Sequence, residues 1–365
     1  MLANDLTFTR CLRGAGRDLS WIIVTSHSDA PGNNKNLKWA MGAVGAVAVL
    51  ATIVAVVLLF GGGGSGGPKG AHPDDGAGSD AATSVASAKD NGPVTVITDD
   101  PSCTAWTSIN SELANSGAGL WNDRDRSVPA SAWTPKLRAQ FIAAAQSMRG
   151  AAAQTVGLVK LTPHRVMREL YQQFIAYARA YAARIPKYTP ADNNLAGAAN
   201  SASSALGAIC AAISDGPAAA RGPLVPPSAP PSDIAPVGNP VNPQPFLTTA
   251  NPVCDDWKSA LDQFGRNTEA WQKLDPNIPA IYWNREQKAV NYAAAPVMNT
   301  YASKLEQLGR QSDNAVWQDL ANLSAQYRRA FVTSLPTYTP TDNHLANAAN
   351  YASTTILGAC AAVGE

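Results

Sequence analysis

Two copies of a Tyr-Thr-Pro-x-Asp-Asn motif hold the residues of this chain best placed to do chemistry: Tyr188, Thr189, Pro190, Asp192 and Asn193 in YTPADNNLAGAAN, and Tyr338, Thr339, Pro340, Asp342 and Asn343 in YTPTDNHLANAAN. Asp192 or Asp342 could serve as the acid or base of a cell-wall hydrolase or transferase. The same residues also write a helix start. Thr189 and Thr339 are N-caps, Pro190 and Pro340 first helical residues, and Asp192 and Asp342 near-closers of a capping box that also suit the helix dipole. Capping is the stronger reading. Asn193 and Asn200 lie seven apart on one helix face, as do Asn343 and Asn350. Each pair could line a polar groove, or hydrogen-bond across helices within the core.

Trp121 and Trp133 flank a polar loop, WNDRDRSVPASAW, and are candidate contacts for a sugar or a protein partner, whereas Trp106 and Trp257 match each other near a helix start and read as core. His164 has no histidine at its matching position, and His344 matches Asn194, so no spacing suits zinc and neither metal nor cofactor is implied. No nucleophile elbow or phosphate-cradling glycine loop is present, and a non-enzymatic protein is expected.

A constant offset matches Tyr177 with Tyr327, Arg179 with Arg329 and Pro186 with Pro336, and the signature motif follows in both copies. Cys103-Thr-Ala-Trp106 matches Cys254-Asp-Asp-Trp257, and Trp133 matches Trp283. Four cysteines allow three pairings. The repeat selects one bridge per copy, Cys103 with Cys210 and Cys254 with Cys360, and disulfides imply an oxidising compartment. In the first copy, helices are expected near 102–119, 135–160, 163–185 and 190–212, the third carrying an apolar stripe of Leu170, Phe174, Tyr177, Tyr181 and Ile185. The expected fold is all-α: one transmembrane helix followed by two tandem, duplicated four-helix-bundle-like domains, each closed by one disulfide. In an up-down bundle the first helix starts where the fourth ends, which lets the cysteines meet. Pro296 falls inside the second helix of copy two and predicts a kink or break.

Composition agrees with two ordinary domains plus connectors: 365 residues, 45% hydrophobic and 15% charged. The net charge of +1 gives no field to steer nucleic acid, which is not an expected partner. From Trp39 to Phe60 the chain is apolar and uncharged, long enough at ~1.5 Å per residue to span a ~30 Å bilayer core. Arg10, Arg13, Arg17, Lys35 and Lys38 precede it and only Lys69 follows closely, which orients the N-terminus to the cytoplasm. The run exceeds a signal-peptide core and lacks a tight small-x-small cleavage site, so an uncleaved anchor is expected. The organisation expected is a cytoplasmic segment 1–36 (from 24 if Val24 is the start), a transmembrane helix 37–60, a flexible Gly/Ser/Asp linker 61–98, helical repeat one 99–213, a Pro-rich linker 214–252 acting as a stiff spacer, and helical repeat two 253–365.

An Ala- and Pro-rich chain with a short basic lead, a single anchor and a disulfide-closed helical ectodomain resembles the exported single-pass membrane proteins of unknown function of mycobacterial and related actinobacterial type. That resemblance implies a cell-envelope location. The expected function is a binding module for an envelope protein or wall component. A carrier or sensor of a small apolar or lipid ligand in the bundle core is the alternative, and a wall hydrolase or transferase ranks third.

Overall fold

Thr134 before Pro135 starts a helix because its Oγ1 accepts the Leu137 amide at 3.2 Å, and Asn284 does the same in copy two through a reciprocal pair with Gln287 at 2.8 and 2.9 Å. Such local signals divide the chain into helices. The computed structural model describes residues 85–121 and 124–364; the cytoplasmic segment, the expected transmembrane helix at 37–60 and residues 61–84 lie outside them. The first four long helices are α1 (Cys103–Trp121), α2 (Pro135–Leu161), α3 (Arg165–Arg184) and α4 (Asn193–Ser214). After a short α5 (Pro217–Arg221) the pattern returns as α6 (Cys254–Asn267), α7 (Glu269–Gln272), α8 (Arg285–Gln311), α9 (Ala315–Ser334) and α10 (Asn343–Ala362). The described fold is all-helical, with matching one-turn 3₁₀ helices at Ala130–Ala132 and Ala280–Tyr282.

The stripe on α3 is buried, and so are Met167, Tyr171 and Ala178 around it, which makes α3 the central helix of its set. Trp106 packs edge-on to Tyr171 and Phe174, and Trp257 to Trp317. The disulfides are Cys103–Cys210 and Cys254–Cys360, with Cα atoms 5.2 and 5.7 Å apart, and each joins the start of its first helix to the end of its fourth. Closing loops of 107 and 106 residues contributes ~4–5 kcal/mol each by chain entropy. Helix α8 runs unbroken through Pro296. That proline and Tyr292, whose carbonyl loses its amide partner, are both exposed, so the missing bond lies on the solvent side of the helix.

The two sets share one hydrophobic core. Asn194 at the start of α4 donates to the Ala361 carbonyl at the end of α10 (2.9 Å), while His344 at the start of α10 meets Asp215 just past α4 (2.9 Å), so the helices lie antiparallel. Small residues permit the approach: a Cβ on Gly358 would come within 2.8 Å of the Ala198 Cα. The Pro190–Ser214 stretch is long and apolar enough to cross a membrane, yet most of its apolar window is buried in this packing.

Neither stretch expected as a linker is a free spacer where it is described. Val94, Val96 and Ile97 are buried in the core, and the Val94 amide donates to Ser228 Oγ at 2.9 Å. Between the copies, Phe246 sits edge-on between Tyr177 and Trp317, Leu247 is buried, and Gln172 donates to the Val237 carbonyl at 2.7 Å. A proline-rich backbone has few amides to satisfy, and its carbonyls here accept from glutamine and arginine side chains, which turns the stretch into a strap.

Candidate functional site

Both Tyr-Thr-Pro-x-Asp-Asn motifs form the same corner. In copy one the Thr189 amide and hydroxyl donate to Asp192 Oδ2 at 2.7 and 2.9 Å; in copy two Thr339 gives Asp342 Oδ2 the same bonds at 2.8 and 3.0 Å. A 3₁₀ turn follows from Pro190 or Pro340 and leads into α4 or α10. The preceding tyrosine latches the corner to the loop before the second helix. Tyr188 donates to the Arg126 carbonyl at 2.9 Å and Tyr338 to the Pro276 carbonyl at 2.6 Å, while their own carbonyls accept from Ala130 and Ala280. Burial pushes both phenols above the ordinary tyrosine range and keeps them neutral. The carboxylates differ in one respect: Asp342, 2% exposed, also pairs with Arg221 at 3.1 Å, whereas Asp192 meets the exposed Arg184 only at 3.7 Å.

The asparagines are not gathered into one groove. Asn193 accepts from Arg124 at 3.4 Å and joins Asn194, Leu357 and Gly358 around a shallow hollow between α4 and α10. Asn200 and Asn343 are half-buried, and Asn350 is exposed, outside the lining of that hollow. Trp133 is a core residue rather than a contact: it is 9% exposed, donates to the Val128 carbonyl at 2.8 Å and stacks on Phe141 at 4.2 Å. Trp283 repeats this with the Ile278 carbonyl at 2.8 Å. A polar loop beside a tryptophan does not say which way the ring turns, and here the loop folds over it. The side chain of Trp121 lies outside the described residues.

The structure also assembles charged residues that sequence reading passed over. Arg165, 1% exposed, binds Asp319 through Nε and Nη2 at 2.6 and 3.0 Å and the Asp90 carbonyl at 2.7 Å, tying α3, α9 and the N-terminal segment together. Glu169 and Asp319 occupy matching positions in the two copies. Burial first, and the negative charge of Asp319 next, push the Glu169 carboxyl well above the ordinary range. Arg168 lies 3.3 Å from Glu169. Farther along α9, Arg328 lies 4.8 Å over the Phe264 ring with Nε and Nη2 lacking hydrogen-bond partners among the described residues; burial lowers it to about 10. The run RVMREL gives no signal of burial, because the carboxylate that meets Arg165 lies 154 residues away in the chain.

Among the described residues no group of histidine, cysteine or acidic side chains is arranged to hold a metal. The geometry is that of corners, straps and buried ion pairs. Residues 85–364 match the family described as Mycobacterial ESX-1 associated protein. The chain belongs to that family. An uncharacterized protein of Mycolicibacterium smegmatis (strain MKD8) is 46% identical over 337 residues, covering 92% of this chain and 89% of the relative. No solved structure matches significantly. The match to the Mycobacterial ESX-1 associated family spans the buried segment through Val94 and Ile97, which belongs to the shared unit.

Proposed function

We propose that this chain is a membrane-anchored envelope protein that works by binding, presenting two duplicated helical repeats outside the cytoplasm to a component of the ESX-1 secretion system. The observation that carries this reading is the family match across the described fold. Two disulfides suit an oxidising compartment, and the uncharged run from Trp39 to Phe60 supplies an anchor with its basic flank inside. A wall hydrolase or transferase is less favoured, because Asp192 and Asp342 each serve a cap. The close approach of α4 and α10 likewise weighs against a ligand carried between them.

Crosslinking with peptide mass spectrometry on intact cells tests the reading. Reproducible crosslinks from residues 85–364 to a secretion-system component are expected; capture of only lipid, glycan or nothing would overturn it.

A further inference from the structure

Ile281 and Tyr282, at 81% and 74% exposure, are the most exposed large apolar side chains among the described residues. The first copy serves as an internal control for why they are there. Its matching turn, Ala130–Ala132, has the same 3₁₀ form, with Ala130 donating to the Tyr188 carbonyl at 2.9 Å as Ala280 does to Tyr338 at 2.8 Å. Yet it carries Ser131 and Ala132 where copy two has isoleucine and tyrosine. The fold makes this corner without an apolar pair, so the pair meets some other requirement.

Helix α8 starts just beyond the corner. Arg285, Lys288 and Tyr292 follow at spacings of three and four, which places them on one helix face, and all three are exposed. Glu286, next to Arg285, lines a neighbouring groove with Arg266, Glu269 and Lys273. A protruding aliphatic side chain, two phenols with polar tips and two cations are the chemistry of the bilayer interface, where rings and aliphatic groups enter the headgroup boundary and cations meet phosphates. The tether favours a bilayer over a soluble partner: 24 residues separate Phe60, the end of the apolar run, from Val85, and a chain of that length spans at most about 85 Å.

We infer that the Ile281–Tyr282 corner, backed by Arg285, Lys288 and Tyr292, is a membrane-contact site for anionic phospholipid, which lays copy two of the fold against the bilayer surface. This rests on the anchored reading above. The test uses the full chain reconstituted in phosphatidylglycerol/phosphatidylcholine vesicles, with the photo-crosslinking residue benzoylphenylalanine replacing Tyr282 or, as control, Ala132. A phospholipid adduct severalfold stronger from position 282 is expected. It should fall about fivefold for each of Arg285→Gln and Lys288→Gln. Equal adducts from both positions, or chain-to-chain adducts in place of lipid at 282, would overturn the inference while leaving the anchor intact. Release of the chain from the vesicles by carbonate would instead overturn the anchor, and the inference with it.

Discussion

Buried charge in this molecule comes in two kinds, and they predict opposite responses to substitution. Arg165 is matched by Asp319, so Arg165→Met strands a carboxylate that is fully buried and should cost about 3–5 kcal/mol by denaturant unfolding. Among the described residues Arg328 has aromatic rings but no carboxylate, and Arg328→Met, similar in reach, should leave stability unchanged or raise it. Glu169 adds a pH dependence. Its folded-state pKa is raised, so its contribution is fully present below the ordinary value of 4.5 and is lost as pH rises through the folded value. The stability difference between wild type and Glu169→Gln should therefore shift against the wild type as pH is raised from about 4.5 toward neutrality. A difference constant with pH would show that Glu169 is ionised in the fold.

Helix ends were the most legible feature of the sequence, because capping is local: the Thr-Pro pairs at 134–135, 189–190 and 339–340 each stand at the start of a helical turn, while the helix begun by 162–163 starts slightly later, at Arg165. The two signature aspartates should separate by their second partners. Asp342→Asn loses a pairing to Arg221 whose side chain is 17% exposed, and Asp192→Asn loses only a distant contact to a 68% exposed Arg184. Both variants should lower the melting temperature, Asp342→Asn by more, and an equal loss would assign the whole effect to the cap. Thr189→Ala should cost ~1 kcal/mol. What local reading missed was orientation. Trp133 and Trp283 turn inward beneath their own loops, and Phe246 in a Pro-rich stretch finds its pocket between two helices distant in sequence.

At the scale of the whole molecule, matched cysteines and motifs gave the pairing within each copy, but not the joint core between copies, which depends on alanine and glycine surfaces that look alike wherever they occur. Gly358 is the sharpest test of that packing. Gly358→Val places new carbons against the Ala198 backbone and should destabilise the chain by roughly 1–3 kcal/mol, with both halves losing protection from hydrogen exchange rather than the second alone. The antiparallel seating of α4 on α10 gives each helix start the other's end, an arrangement like that of two subunits about a twofold axis. Here both halves are on one polypeptide, so dilution cannot part them. An association of identical subunits must also show every sequence change twice, whereas matched halves on one chain can change one at a time: Ser131 can stay polar while Ile281 does not.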